Sequence, residues 1–381
     1  MVRTALERPH GIPRLREIAR HVHDALIVTC DKTRGMPSHI TLPYVLEELE
    51  AGGLHRDTIR VLIATGLHKG ETRDDVRERL GSELVEDLEV RVHDSDDQEG
   101  LMFLGALESG TPLFLNKSVV ESDLVIIEST VEPHFFAGFT GGSKVILPGV
   151  AGTETVLQNH RWQNVDDSRS RYGVLENPVR ADANAALRFI KRAFSLNVVL
   201  DDQKRITYAN SGDVVTSFNI VADIVTEHSR VLVETRPDLV ITTNGGYPLD
   251  RNLYQCVKGI AVPEQIVHPS SRIIMVGECA DGVAHDEFRS LVTGRSPKET
   301  YEKLKSSDVT VRDQWEAQVL CRVLSQNPVW FVTRSALSSE IESMHMHYAS
   351  TVEEALDSAG LSKEDEVLIV PQGPSTILNV R

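Results

Sequence analysis

Short runs of β-branched and apolar residues recur along the first half of the chain, at 25–29, 59–64, 124–127 and 197–200. Each is too short for a helix and is bounded by polar or glycine-bearing turns, so each reads as a strand buried on both faces. Longer stretches between and after them, at 42–51, 73–80, 154–160, 180–193 and 215–227, carry apolar residues at helical spacing. That alternation predicts parallel strands covered by helices. A second series of strands, at 239–242, 272–276, 329–332 and 367–370, begins after Thr235-Arg236-Pro237. The expected fold is therefore α/β: two α/β lobes with largely parallel sheets, residues 1–232 and 233–381, with an active-site cleft between them. No fixed-period repeat or low-complexity tract interrupts this pattern.

Composition narrows the function. At 381 residues the chain exceeds the usual size of one hydrophobic core, which agrees with two lobes. A net charge of −16 opposes a phosphate backbone and no basic stripe offsets it, so no nucleic acid is expected as a partner. The same charge means that an anionic substrate must be drawn in by a few local cations. Cys30, Cys256, Cys279 and Cys321 are far apart and form no CxxC pair, which suits a reducing, cytoplasmic setting. No stretch reaches membrane-spanning length and no export signal is visible, so no membrane association is expected.

Polar residues with chemical potential cluster just past the expected strands, where open α/β sheets bind ligands. Asp31-Lys32-Thr33-Arg34 follows the first strand, and Arg34 offers a planar donor fork for a carboxylate. His68 follows the second strand, between Gly66 and Gly70. After the third comes the densest stretch, 132–149, with His134, Phe135, Phe136 and Phe139 followed by Gly141-Gly142-Ser143-Lys144. Its glycines and lysine do not make a phosphate loop, which needs an adjacent Gly-Lys pair followed by a hydroxyl residue. His160 closes an expected helix and is of a type that binds borderline metals. In the second lobe Tyr254 and Lys258 share a helix face, with Gln255 one turn from Lys258, so the three offer a cation and hydrogen bonds to an oxyanion. Taken singly, each of these also reads as an ordinary turn, helix end or solvated face.

Their order and spacing together resemble the lactate racemase family. The resemblance rests on Asp31-Lys32-Thr33-Arg34, Gly66-Leu67-His68, the block from His134 to Gly149, Asn159-His160, Asn244-Gly245-Gly246-Tyr247-Pro248-Leu249-Asp250, Tyr254-Gln255-Cys256-Val257-Lys258-Gly259, and Asp313-Gln314-Trp315. It implies a cofactor, a nickel-pincer nucleotide (pyridinium-3-thioamide-5-thiocarboxylic acid mononucleotide) covalently bound to Lys144, with His160 completing the coordination of nickel. It further implies His68 and His134 as alternate acid and base, Arg34, Tyr254, Gln255 and Lys258 around the substrate carboxylate or nearby cofactor groups, Asp31 and Thr33 serving the cofactor or standing behind it, and Trp315 shaping the substrate pocket. The implied activity is racemisation of a small 2-hydroxy acid by hydride transfer to and from the tethered cofactor. Enzymes of cofactor biosynthesis are the implied loading partners, and a homo-oligomer is allowed.

The chain departs from the family pattern in three places. Gly35 stands where a proline is common, Ser143 where a basic residue is frequent, and the segment ahead of Asp31 is shorter than usual. None removes a role-bearing side chain. Other readings left open by the sequence are a racemase of malate or an epimerase of a larger hydroxy or sugar acid, and a non-catalytic protein that binds the cofactor or a hydroxy acid. A zinc hydrolase built on the same histidines lacks an HExxH pattern or clustered carboxylates.

Overall fold

A computed structural model describes residues 1–68, 70–307 and 309–381. The chain forms two compact units: one of residues 1–132, 139–159 and 175–225, the other of residues 133–138, 160–174 and 226–381. No helix among the described residues is long and apolar enough to cross a membrane.

The first unit is built on a six-stranded sheet in the order Ile206–Gly212, Ala193–Leu200, Leu124–Thr130, Ala25–Cys30, Ile59–Ala64, Glu89–Val92. All neighbours are parallel except Ile206–Gly212, which runs antiparallel to its partner. The period of two along each strand sorts side chains between two cores. Leu26, Val28, Leu62, Val125 and Ile127 enter one cluster, and Ile27, Val61, Ile63, Leu124 and Ile126 enter the other. Each such fully buried side chain contributes about 1.5–3 kcal/mol. Polar residues join this core where helix hydroxyls can serve them: Glu128 is wholly buried and accepts from Ser38 Oγ at 2.7 Å and from Thr41 Oγ1. The strand therefore runs past Ile127, where its apolar pattern stops, to Thr130.

One expected helix is shorter than its pattern. The helix Pro178–Ala186 starts where Asn177 caps it and Pro178 takes the first position, but it gives way to a tight turn at Leu187–Phe189, and Ala193 already opens a strand. Apolar residues packed against the core after Ala186, among them Leu187, Phe189 and Ile190, prolong the helical spacing beyond the helix itself.

The second unit holds a five-stranded parallel sheet in the order His347–Ala349, Val329–Val332, Arg272–Val276, Leu239–Thr243, Val367–Val370. Arg230–Val233 pairs separately with Ile377–Val380. Val367–Val370 is an edge strand with Val367 and Ile369 exposed.

A buried guanidinium secures residues 160–174 within this unit. Arg322 donates to Glu264 Oε1 at 2.5 Å and Oε2 at 2.9 Å, to Asp166 Oδ1 at 3.3 Å and to the Val165 carbonyl at 3.2 Å. Tyr301 donates to Asp166 at 2.6 Å, and Tyr172 donates to the Lys258 carbonyl at 3.0 Å. Removing the cation would leave two carboxylates without their main partner. Arg322→Ala should lower unfolding free energy by about 3–5 kcal/mol in urea titration and raise hydrogen exchange across residues 160–174. A loss near zero would show that this network does not carry the segment.

Candidate functional site

In the first unit, the carboxyl end of Ala25–Cys30 runs into a single tight turn, Lys32–Arg34. Asp31 precedes it and is buried, with its Oδ1 accepting from the Thr33 backbone nitrogen at 3.0 Å and the Thr33 hydroxyl at 2.5 Å. Its other oxygen meets His68 Nδ1 at 2.7 Å. Burial alone would raise the Asp31 carboxyl, but the bonds from His68 and Thr33 and the charges of His68 and Arg34 bring it down to about 2. In its neutral form the His68 ring therefore carries its proton on Nδ1 and its lone pair on Nε2. The Arg34 backbone is fixed, since its carbonyl accepts from Thr130 Oγ1 at 3.3 Å.

Lys144 lies in the tight turn Gly142–Val145. The two preceding glycines are demanded by packing. A Cβ on Gly141 would lie 2.6 Å from the Thr130 carbonyl, and one on Gly142 would lie 2.6 Å from the Phe218 ring, with both residues at positive φ. Arg180, itself buried and 4.1 Å over the Phe218 ring, donates to the Gly141 and Phe139 carbonyls. Ser143 donates to Asn184 Oδ1 at 2.6 Å. The Gly149 carbonyl just beyond accepts from the Gly66 nitrogen at 2.9 Å, which joins the loop of His68 to the segment of Lys144.

In the second unit, His134 ring contacts run to Phe135 at 4.9 Å and Phe136 at 4.7 Å. His160 is buried between Phe136 and Trp315, each ring 5.0 Å away and edge-on. His134 Nδ1 accepts from the backbone nitrogens of Phe136 at 3.4 Å and Ala137 at 3.2 Å, so its neutral ring carries the proton on Nε2. The helix Leu253–Ala261, capped by Asn252, carries Tyr254, Gln255 and Lys258, and Lys258 Nζ donates to Gln255 Oε1. Burial, then the carboxylates of Glu316 and Asp313, holds the Tyr254 hydroxyl well above its usual value, so it stays protonated.

Sequence reasoning passed over one ring in this unit. His285 Nδ1 meets Asp313 Oδ2 at 2.7 Å, and its ring centroid lies 4.6 Å from that of Tyr254. Asp313 belongs to a segment singled out in the sequence, but nothing around His285 marks it as more than a loop histidine. The pairing is visible only once the fold joins residues 28 positions apart.

Among the described residues no three His, Cys, Asp or Glu side chains gather as a metal cage; a buried imidazole such as that of His160 suits a borderline metal whose other donors belong to a carrier group. Lys144 in its fixed turn supplies an amine to which such a carrier could be joined.

Parallel sheets covered by helices, with a carboxylate-held histidine past a strand end, place the chain in the α/β class with polar side chains where such sheets bind ligands. Residues 1–173 match the model of the lactate racemase N-terminal domain, and residues 232–378 match that of the lactate racemase C-terminal domain. The chain is 38% identical to a lactate racemase of Thermoanaerobacterium thermosaccharolyticum and 36% identical to one of Lactiplantibacillus plantarum, covering 99% of this chain and 90% of each relative. It superposes on the lactate racemase apoprotein structure from T. thermosaccharolyticum with a TM-score of 0.96 over 99% of this chain and 91% of that one. A protein from Thermotoga maritima, 20% identical, shares the fold with a TM-score of 0.73 over 97% and 98% of the two chains. The chain belongs to the lactate racemase family of isomerases.

Two consequences are measurable. Because Asp31 is more acidic folded than free, its stabilisation is full above pH ~4 and is lost as pH falls toward 2, an effect of about 2 kcal/mol. The stability gap between wild type and Asp31→Asn in urea should shrink by that amount between pH 5 and 2, whereas a constant gap would count against the ion pair. Gly142→Ala should cost about 1–3 kcal/mol by the same assay, since its methyl meets the Phe218 ring.

Proposed function

We propose that the chain racemises a small 2-hydroxy acid, with lactate as the representative substrate, using a nickel-pincer nucleotide joined to Lys144. The observation that carries this reading is the His68–Asp31 pair, 2.7 Å apart, in which a buried carboxylate leaves Nε2 of the neutral ring as a proton acceptor. It is supported by membership of a family whose named relatives are lactate racemases.

Inverting such an acid requires the C2 hydrogen to leave and return on the opposite face. Leaving as a proton, it would strand a carbanion next to a carboxylate; leaving with its electron pair, while the hydroxyl proton goes to a base, it gives a neutral ketone. When bound, the pincer group supplies the acceptor for that hydrogen and electron pair. His68 takes the hydroxyl proton at Nε2, Asp31 stabilises the imidazolium that results, and that imidazolium returns the proton to the oxygen as the ketone goes on to product. Thr33 acts through Asp31, by holding its other oxygen.

His134 starts from the opposite tautomer and presents Nε2–H, which donates to the substrate oxygen. For it to accept a proton in the other direction, its Nδ1 contacts to Phe136 and Ala137 must give way. Arg34 and Lys258, the latter held by Gln255, neutralise the substrate carboxylate, and the protonated Tyr254 hydroxyl adds a donor. His160 would hold the nickel, and Phe136 and Trp315 on either side limit how far its ring can turn. Phe135 and Phe136 keep water from the reacting carbon.

The test is to load the chain with cofactor, confirm by mass spectrometry that the added mass sits on Lys144, and follow single enantiomers of lactate by chiral chromatography. Conversion toward an equal mixture, abolished together with the added mass by Lys144→Ala, is the expected result. A loaded chain that leaves lactate and longer 2-hydroxy acids unchanged overturns the reading. In the loaded enzyme, Asp31→Asn should lower kcat by about 100-fold or more with a smaller change in KM.

A further inference from the structure

The second unit contains a histidine–carboxylate pair that the proposed chemistry does not use. His285 and Asp313 repeat the His68–Asp31 arrangement closely: Nδ1 to a carboxylate oxygen at 2.7 Å in both, and a half-exposed imidazole, 48% against 43%. Among the described residues His285 Nε2 has no hydrogen-bond partner, so the Nδ1 bond fixes the ring while its other nitrogen remains available.

Two features argue that this pair is more than a surface contact. Asp313 occupies the position that caps the helix Gln314–Leu324, where an aspartate usually accepts from the helix's first free N–H groups, yet its side chain makes no capping bond and serves His285 instead. Both partners also depend on left-handed backbone at residues other than glycine: Ala284, just before His285, has φ 91°, and Asp313 has φ 62°. Such conformations are costly, and they persist where the surrounding structure enforces them, commonly at ligand sites. A lost cap and two strained residues are poor returns for an exposed ion pair that adds little stability by itself.

The location gives the pair a role. The His285 ring lies against Tyr254, whose hydroxyl has Asp313 and Trp315 beside it, and Trp315 packs on His160. His285 thus stands one ring beyond the residues assigned to the substrate's reacting end. Asp313 raises the imidazole above its usual value despite its partial burial, which favours the form with a proton on Nε2.

We propose that His285, held by Asp313, is a specificity-determining residue whose Nε2 hydrogen-bonds an oxygen on the substrate beyond C2, accepting from a hydroxyl when neutral or donating to a carboxylate when protonated. It follows that the chain prefers 2-hydroxy acids carrying a further hydroxyl or carboxylate over lactate. This rests on the racemase reading above, but it is tested by equilibrium binding to the cofactor-free chain, so failure of loading or of turnover is scored separately.

Calorimetric titration with lactate, glycerate and malate, each as single enantiomers, separates the two oxygen sources. Glycerate binding more tightly than lactate identifies a hydroxyl, and malate a carboxylate. Asparagine places an amide nitrogen near the position of Nδ1 and can keep the Asp313 bond, while glutamine reaches toward the position of Nε2. The preference for the oxygenated acid over lactate should fall about tenfold in His285→Asn and recover in part in His285→Gln. The proposal is overturned if neither oxygenated acid binds more tightly than lactate, or if His285→Asn weakens all three by the same factor or none at all.

Discussion

Glu128 lies in the middle of the first unit's sheet with no exposure to water, and a carboxylate in that position must be met by donors. Ser38 and Thr41 meet it, and in doing so they fix the start of the helix Ser38–Ala51 against the central strand. The same requirement recurs around it. Asp31 is met by Thr33 and His68, which sets the two loops past neighbouring strands, and buried Asp182 is met by Thr111 and Asn159, which holds the residue before His160 to the helix Pro178–Ala186. The loops bearing the candidate side chains are thus ordered by buried acids, each needing several partners at once.

The strands with continuous β-branched character were readable because burial on both faces leaves only apolar positions to be filled. Ile59–Ala64, Arg272–Val276 and Val329–Val332 have the expected limits; Val367–Val370 has them too, although it lies at an edge with Val367 and Ile369 exposed. Strands served by hydrogen bonds from elsewhere were not readable. Leu124–Thr130 ends in Glu-Ser-Thr, which looks like a turn until Ser38 and Thr41 arrive from another element. Ile206–Gly212 carries mixed polarity with no run to mark it, whereas the hairpin of Leu101–Ala106 with Pro112–Asn116 was passed over despite its short apolar runs. Among candidate site residues, those beside strand ends stood out through their neighbours in sequence. His285 did not, because what singles it out is a partner 28 residues away and a backbone angle at Ala284, neither of which composition encodes.

The two histidines assigned to proton exchange differ in how they are held. Behind His68 a carboxylate oxygen faces Nδ1 and makes it the nitrogen that bears the neutral ring's proton. Behind His134 two backbone N–H groups face Nδ1 and make it the acceptor. One neutral ring thereby offers a lone pair at Nε2 and the other an N–H, and the difference comes from what stands behind each ring rather than from the ring itself.

The edge strand Val367–Val370 leaves a row of backbone groups and two apolar side chains, Val367 and Ile369, at the margin of the five-stranded sheet. Such a margin invites another strand to pair with it. Glu364, Asp365 and Glu366 lead into this one and Pro371 follows it, so a second copy approaching in register would bring like charges together at one end and a residue without an N–H at the other. With a net charge of −16 the whole molecule adds to that repulsion. The sheet stops at five strands in part because its last strand is flanked by residues that discourage a sixth.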